Sequence, residues 1–286
     1  MFDFSDFLIA SDLDGTLINT QGTVPQRNLD AIAHFCANGG KFTLNTGRTH
    51  HSIRSATGNI EQLVNAPVVH CNGAYLYDFR KKEFSNELFM PEAHTRALLD
   101  FLLTKHPELP FRAMARHQIR YYTPPGRILS EKAAHFADAD ALCNDPVSTW
   151  QLADWYKLVL LDVKDVKEQI IREIADYTGI DYGITTSGAN ILEIQVKGCN
   201  KAVGLEKLRH HDTPAKGRCV IACGDYDNDV PALMAADVAV CPENANATAK
   251  AHAAHVLCHC NDGLIADIVE GIEAGRIKKE FKGDTV

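Results

Sequence analysis

The chain has 286 residues, 45% of them hydrophobic and 23% charged, with a formal net charge of −8. That length suits two domains in one chain, and the composition is that of a globular protein. With no basic block, a nucleic-acid partner is disfavoured, and no apolar run reaches the roughly 18 residues of a membrane span.

The start, Met1 to Asp6, lacks the basic n-region and long apolar stretch of a signal peptide. The expected compartment is the cytoplasm. Phe7–Ser11 is a short apolar run ending at Asp12. Pro25 to Ala37 reads as a helix, with Leu29, Ile32 and Phe35 inward and Gly39-Gly40 as its stop. Phe42–Asn45 is a second strand ending at Thr46, His50 to Leu63 a second helix, and Pro67–Cys71 a third strand ending at Asn72-Gly73. Strands separated by helices predict a Rossmann-like, doubly wound parallel sheet, so the fold class is α/β.

After Asn72 the rhythm changes. Tyr75–Tyr77 and Glu83–Phe89 read as a strand pair, and Pro91 to His106 as a helix. Strands follow at Phe111–Ala115, Ile119–Thr123 and Leu158–Leu161. A helix near Lys164 to Thr178 and strands around Tyr182–Thr186 and Ile191–Val196 complete the section. This α+β pattern predicts an inserted cap domain over 83–190, with the core formed by 1–82 and 191–286. From Lys201 the first rhythm resumes: a helix to His210, a strand Arg218–Cys223 ending at Gly224-Asp225, a helix Asp229–Ala236, a strand Val238–Val240, and helices Ala247–Ala254 and Leu264–Glu273. The tail after Gly275 reads as loose.

Three strands thus end in polar residues: Asp12, Thr46 and Asp225. In an open parallel sheet, ligands bind outside the carboxyl ends of the strands. Asp12, Asp14, Thr46, Asp225, Asn228 and Asp229 are therefore expected in one crevice. Such a gathering of acids repels itself and calls for a hard cation, which oxygen ligands identify as Mg²⁺. Taken alone, Asp12-Leu13-Asp14-Gly15 is a common turn. Neither it nor Asp225–Asp229 has the glycine and glutamate that a calcium loop needs.

Nine cysteines, an odd number scattered in apolar runs, read as reduced thiols. His255, Cys258, His259 and Cys260 make an incomplete zinc set, with no second Cys-x-x-Cys knuckle. The pairs His50-His51 and His210-His211 diverge on a helix and read as solvated or capping residues.

Four ordered segments together resemble the haloacid dehalogenase superfamily, in its Cof-type sugar-phosphatase branch. They are Asp12-Leu13-Asp14-Gly15-Thr16-Leu17, Asn45-Thr46-Gly47-Arg48, Lys201, and Gly224–Asp229 followed by Met234. Asn72-Gly73-Ala74 and Asn244-Ala245 are further marks of that branch. The common Lys-Gly pair of the third motif is Lys201-Ala202 here.

The resemblance implies a Mg²⁺-dependent phosphatase acting on small phosphate monoesters, such as sugar phosphates. It makes Asp12 the nucleophile, carrying an aspartyl-phosphate, and Asp14 the general acid and base. Thr46 (through hydroxyl and amide), Gly47, Arg48, Asn72, Lys201 and Asn228 would bind phosphate or substrate. For Arg48 a structural ion pair is equally open. Asp12 and Asp225 would hold Mg²⁺, together with the Asp14 backbone carbonyl, and Asp229 would act on the metal through a water or hold Lys201. Specificity would come from the cap, with Arg112, Arg116 and His117 as candidates. The partner implied is a small phosphorylated metabolite, with no nucleic acid and no membrane; the oligomeric state is left open. The alternatives are a sugar phosphomutase and a non-catalytic phosphometabolite-binding protein on the same fold.

Overall fold

The structure, a computed structural model, describes residues 2–53, 57–127, 146–210 and 217–278. It divides into two compact units, Met1–Glu87 with Asn200–Val286, and Leu88–Cys199.

The first unit is built on a five-stranded parallel sheet. Its strands are β1 (Phe7–Ser11), β2 (Lys41–Leu44), β11 (Cys219–Cys223), β12 (Val238–Pro242) and β13 (His255–Leu257), in the order β13-β12-β11-β1-β2. Alternation along the central strands divides the core in two. On one face Ile9, Ile221 and Cys223 pack with Ile32 and Phe35 of α1 (Gln26–Ala37) and with Ile265, Ile268 and Ile272 of α8 (Leu264–Glu273). On the other, Leu8, Ala10, Val220 and Ala222 meet Leu205 and Leu208 of α5 (Lys201–His210) and Leu233 of α6 (Val230–Ala235). Each such aliphatic side chain contributes about 1.5–3 kcal/mol on burial. A strand buried on both faces reads as a continuous apolar run, which is why Phe7–Ser11 and Cys219–Cys223 stand out in sequence.

Several boundaries differ from the sequence expectation. The third strand, β3 (Val68–His70), pairs antiparallel with β4 (Tyr75–Asp78), which pairs with β5 (Glu83–Ser85). It is joined to the end of the parallel sheet by the bridge between Asn45 and Val69 and by the Thr43 hydroxyl, which donates to Pro67 O at 2.6 Å. Of the helix expected over 50–63, Thr57 is helical, its N–H donating to Ile53 O at 3.1 Å, and after Gly58 at φ +66° a short helix α2 (Ile60–Leu63) follows; residues 54–56 lie outside the described residues.

The second unit has a five-stranded antiparallel sheet in the order β7-β6-β8-β10-β9. The strands are β6 (Phe111–Ala115), β7 (Ile119–Tyr122), β8 (Trp155–Leu161), β9 (Tyr182–Thr185) and β10 (Ile191–Val196). Helices α3 (Glu92–Lys105) and α4 (Lys167–Thr178) cover one face through Leu98, Phe101, Leu102, Ile170 and Ile174. The unit, Leu88–Cys199, begins and ends later than the expected 83–190. Its upper boundary moves because Ile191–Val196 is hydrogen-bonded between β8 and β9 rather than belonging to the first unit. Its lower boundary moves because Glu83–Ser85 pairs with β4. Among the described residues no helix is long and apolar enough to cross a membrane.

Candidate active site

β1 delivers Asp12, whose backbone N–H donates to Cys223 O at 2.8 Å and so ties the ends of β1 and β11 together. The Asp12 carboxylate is buried. Lys201, the first residue of α5, is fully buried beside it: its Nζ donates to Asp12 Oδ1 at 2.5 Å and to Asp229 Oδ1 at 2.5 Å. The usual expectation for a lysine at a helix start is the surface, and its burial here follows from these two carboxylates. Burial lowers the proton affinity of Lys201, but the charges of Asp12 and Asp229 outweigh it, and the net shift is upward.

Asp225 follows the end of β11. Carboxylate oxygens of Asp12, Asp225 and Asp229 lie within 4.8 Å of one another. Burial, and then the neighbouring Asp229, push the Asp225 carboxyl up to about 7. Asp12 is raised well above the usual carboxylate range by the same burial, against the pull of Lys201. Three acids and one ammonium leave a formal charge of −2 when all are ionised. Hard oxygen donors at this spacing fit a small divalent cation such as Mg²⁺, which keeps further positions for water and phosphate oxygens. Among the described residues no other such set of ligating side chains occurs; His255, Cys258, His259 and Cys260 do not gather into one.

The loops are shaped for close approach. Gly15 has φ +76°, and a Cβ there would come within 2.6 Å of Asp225 Oδ2. At Gly224 a Cβ would meet the Asp229 side chain at 2.3 Å. Asp229 also fixes its own loop, its Oδ2 accepting from the backbone N–H groups of Asp225 and Tyr226, each at 3.0 Å.

Asp14 is half-exposed, and its carboxylate turns to Arg48 rather than to the acid cluster. Arg48 Nε and Nη2 donate to the two Asp14 oxygens at 2.8 and 2.7 Å, a bidentate pair, and Nη1 reaches Ser52 O at 3.2 Å. Of the two openings for Arg48, the ion pair is the one formed. Thr46 is buried, and its backbone N–H is committed to Val69 O at 3.0 Å. The expectation that the amide serves phosphate therefore fails, and the hydroxyl, which accepts from Arg48 N at 3.1 Å, keeps its own proton to donate. Gly47 is half-buried in the same turn.

Asn72 sits in a left-handed turn, with φ +53°, and its N–H donates to Thr46 O at 3.0 Å. The Asn228 amide nitrogen is 3.4 Å from Asn72 Oδ1, so the fourth segment and this turn meet. Gly73 can follow because a Cβ would collide with Asn200 O at 2.2 Å.

Four asparagine and threonine residues make supporting contacts for which the sequence reading gave no role. Thr16 Oγ1 donates to Asp225 Oδ1 at 3.3 Å. Asn45 Nδ2 holds Lys201 O at 3.0 Å. Asn200 Oδ1 accepts from Ala202 N and Val203 N at the start of α5. Asn244 spans Gly15 O and Cys260 N at 2.7 and 2.9 Å. For the three asparagines the signal was the residue type itself, beside a strand end or a helix start.

The histidine expectation also needs correction. His50 is buried, its N–H donating to Tyr75 Oη at 3.0 Å and its ring packed on Tyr77 and Phe84. His210 is exposed and pairs with Glu206, while His211 lies outside the described residues. The described cysteines are all free thiols.

The profile of the haloacid dehalogenase-like hydrolases matches residues 9–269. The chain is 25% identical over 251 residues to 5-amino-6-(5-phospho-D-ribitylamino)uracil phosphatase YitU of Bacillus subtilis, covering 83% of this chain and 87% of that one. It is 25% identical over 273 residues to pyridoxal phosphate phosphatase YbhA of Escherichia coli, covering 92% and 97%. A haloacid dehalogenase-like hydrolase from Bacteroides thetaiotaomicron superposes with a TM-score of 0.78 at 22% identity, over 93% of this chain and 98% of that one. With its parallel-sheet unit, its antiparallel-sheet unit and four ordered acidic and basic segments, the chain belongs to the haloacid dehalogenase-like hydrolases, in their Cof-type branch.

Proposed function

We propose that the protein is a Mg²⁺-dependent phosphatase that hydrolyses small phosphate monoesters through an aspartyl-phosphate on Asp12. The observation that carries this reading is the buried triangle of Asp12, Lys201 and Asp229 with Asp225 beside it. The phosphatase names of the two relatives support it, one acting on a phosphoribityl compound and one on pyridoxal phosphate.

Asp12, Asp225 and Asp229, with the Asp14 carbonyl, would hold Mg²⁺, which supplies positive charge against the phosphoryl oxygens when bound. Lys201 holds the Asp12 carboxylate in place, and its charge favours the ionised form against the effect of burial. An Asp12 oxygen attacks phosphorus in line as the bond to the ester oxygen breaks. Asp14 gives that leaving oxygen a proton, then takes one from the water that attacks the aspartyl-phosphate. Phosphate departs and Asp12 is regenerated. Thr46 donates its hydroxyl proton to a phosphoryl oxygen, and Asn228 lies where it can do the same. Since Arg48 now clasps Asp14, this pair must loosen for Asp14 to serve the substrate.

The second unit is the substrate-selecting cap in this reading, and the substrate class is small phosphorylated metabolites such as sugar phosphates. The direct test is Asp12→Asn assayed on 4-nitrophenyl phosphate with Mg²⁺. Loss of turnover is expected; full activity would sink the mechanism.

A further inference from the structure

Two segments of the first unit run side by side at the candidate site. Residues 46–50 follow β2, and residues 69–75 run from β3 into β4. Backbone bonds join them: Thr46 N–H to Val69 O, Asn72 N–H to Thr46 O, and Cys71 N–H to Arg48 O at 3.1 Å. Two side chains add to this. His70 Nδ1 lies 3.1 Å from Arg48 O, and Tyr75 Oη accepts from His50 N–H at 3.0 Å. The stretch Thr46–His50 is thus gripped at its middle and at its far end by rings from β3 and β4.

Neither ring merely fills space. Both are wholly buried, and they stack with centroids 5.1 Å apart. A carbonyl facing His70 Nδ1 requires the proton on that nitrogen, which leaves Nε2 with only a lone pair. Nε2 has no partner, and a buried acceptor left so costs free energy that an apolar side chain would avoid. Arg48 O does not need His70 to be satisfied, since Cys71 N–H already serves it. What His70 adds is a second donor, which fixes the direction of that carbonyl. Burial holds the ring down to about 3, so it is neutral and its Nδ1–H stays in place at neutral pH. Tyr75 differs from phenylalanine only in its oxygen, and that oxygen lies 3.0 Å from both the backbone nitrogen and Nδ1 of His50.

The gripped turn carries two groups of the proposed reaction: the Thr46 hydroxyl, which accepts from Arg48 N–H, and the Arg48 guanidinium, which holds Asp14. His70 and Tyr75 act on the backbone that carries these groups. We propose that His70 and Tyr75 are positioning residues of the phosphoryl site, which set the path of Thr46–His50 and so aim the Thr46 hydroxyl and the Arg48 side chain. The inference rests on the phosphatase reading and adds to it two residues that lie outside the four segments.

The test is hydrolysis of 4-nitrophenyl phosphate by the full chain with Mg²⁺. His70→Leu and Tyr75→Phe should each lower kcat on the order of tenfold or more, since a small misplacement of a group that contacts the reacting atoms suffices for such a loss. His70→Asn offers an amide N–H where Nδ1–H stood, and it should recover most of the activity lost in His70→Leu. The rise in Tm on adding Mg²⁺ should match wild type in all three, because Asp12, Asp225 and Asp229 are untouched. A merely structural role would lower stability and leave kcat of the folded protein unchanged. Should His70→Leu fold poorly, Tyr75→Phe, which removes a single oxygen, carries the test. Wild-type kcat in either folded variant, no recovery in His70→Asn, or loss of the Mg²⁺ response overturns the inference. Asp12→Asn separates the two levels: if it leaves hydrolysis intact, the phosphatase reading fails instead.

Discussion

Among the described residues two lysines, Lys157 and Lys201, are fully buried, and their surroundings differ in charge balance. Lys201 sits between two carboxylates, hydrogen-bonded to each, with a third acid alongside. Lys157 faces a single carboxylate at 3.0 Å. The first group is left with excess negative charge and a need for a cation; the second is neutral. Burying an ion is costly unless it is paired, so both lysines are bound to their partners. Only the first arrangement has unbalanced charge, and in the proposed reaction that imbalance is what a metal and an anionic phosphoryl group would together exploit.

The sharpest way to break this contrast is at the nucleophile. Asp12→Asn should lower kcat on an aryl phosphate by at least about 10³-fold, since the amide cannot displace the ester oxygen. Next, Lys201→Met strands Asp12 and Asp229 as buried acids without a counter-charge. Urea denaturation without metal should show a loss of about 3–5 kcal/mol. Stability equal to wild type would mean that the acids are already protonated and the pair is idle.

Metal comes third. Mg²⁺ at 100 times its dissociation constant should stabilise the fold by about 2.7 kcal/mol, read as a rise in Tm. Asp225→Asn should shrink that rise, whereas Lys157→Met with Glu193→Leu should leave it intact.

A fourth prediction uses His70, whose buried ring is held down to about 3 by loss of hydration, with Nδ1 bonded to Arg48 O at 3.1 Å. The folded-state value lies below the unfolded one, so the unfolded chain takes up a proton first as pH falls. The stability is present above the ordinary histidine value near 6.5 and is lost as pH drops toward 3. Between pH 7 and pH 5 this amounts to about 2 kcal/mol, measurable by urea denaturation at each pH. His70→Asn should remove that part of the pH slope.

The smallest effect is expected at the neutral pair. Replacing Lys157 and Glu193 together by Met and Leu should change stability by about 1 kcal/mol or less, because the desolvation of both ions disappears with their attraction. A loss as large as that of Lys201→Met would erase the difference between the two lysines.

Much of the first unit was legible in sequence. Phe7–Ser11 and Cys219–Cys223 are apolar throughout because both their faces are buried, and the limits of α5 and α8 agree with their expected ranges. The second unit was less so. Its strand Ile191–Val196, paired between β8 and β9, carries Glu193 and Gln195 inside a buried face, and nothing local told it apart from a strand of the first unit. Its boundary therefore shifted to Cys199.

The amino-acid sequence alone singled out the candidate site residues: Asp12, Thr46, Lys201, Asp225 and Asp229 follow strand ends or begin a helix, in an order that identifies the family. Tertiary structure alone decided how their charges are shared. It spent the Thr46 amide on Val69, turned Asp14 to Arg48, buried Lys201 between Asp12 and Asp229, and set a polar strip on a sheet face of the second unit. Hydrogen-bond partners and desolvation depend on residues distant in the chain, and spacing along one strand or helix does not encode them.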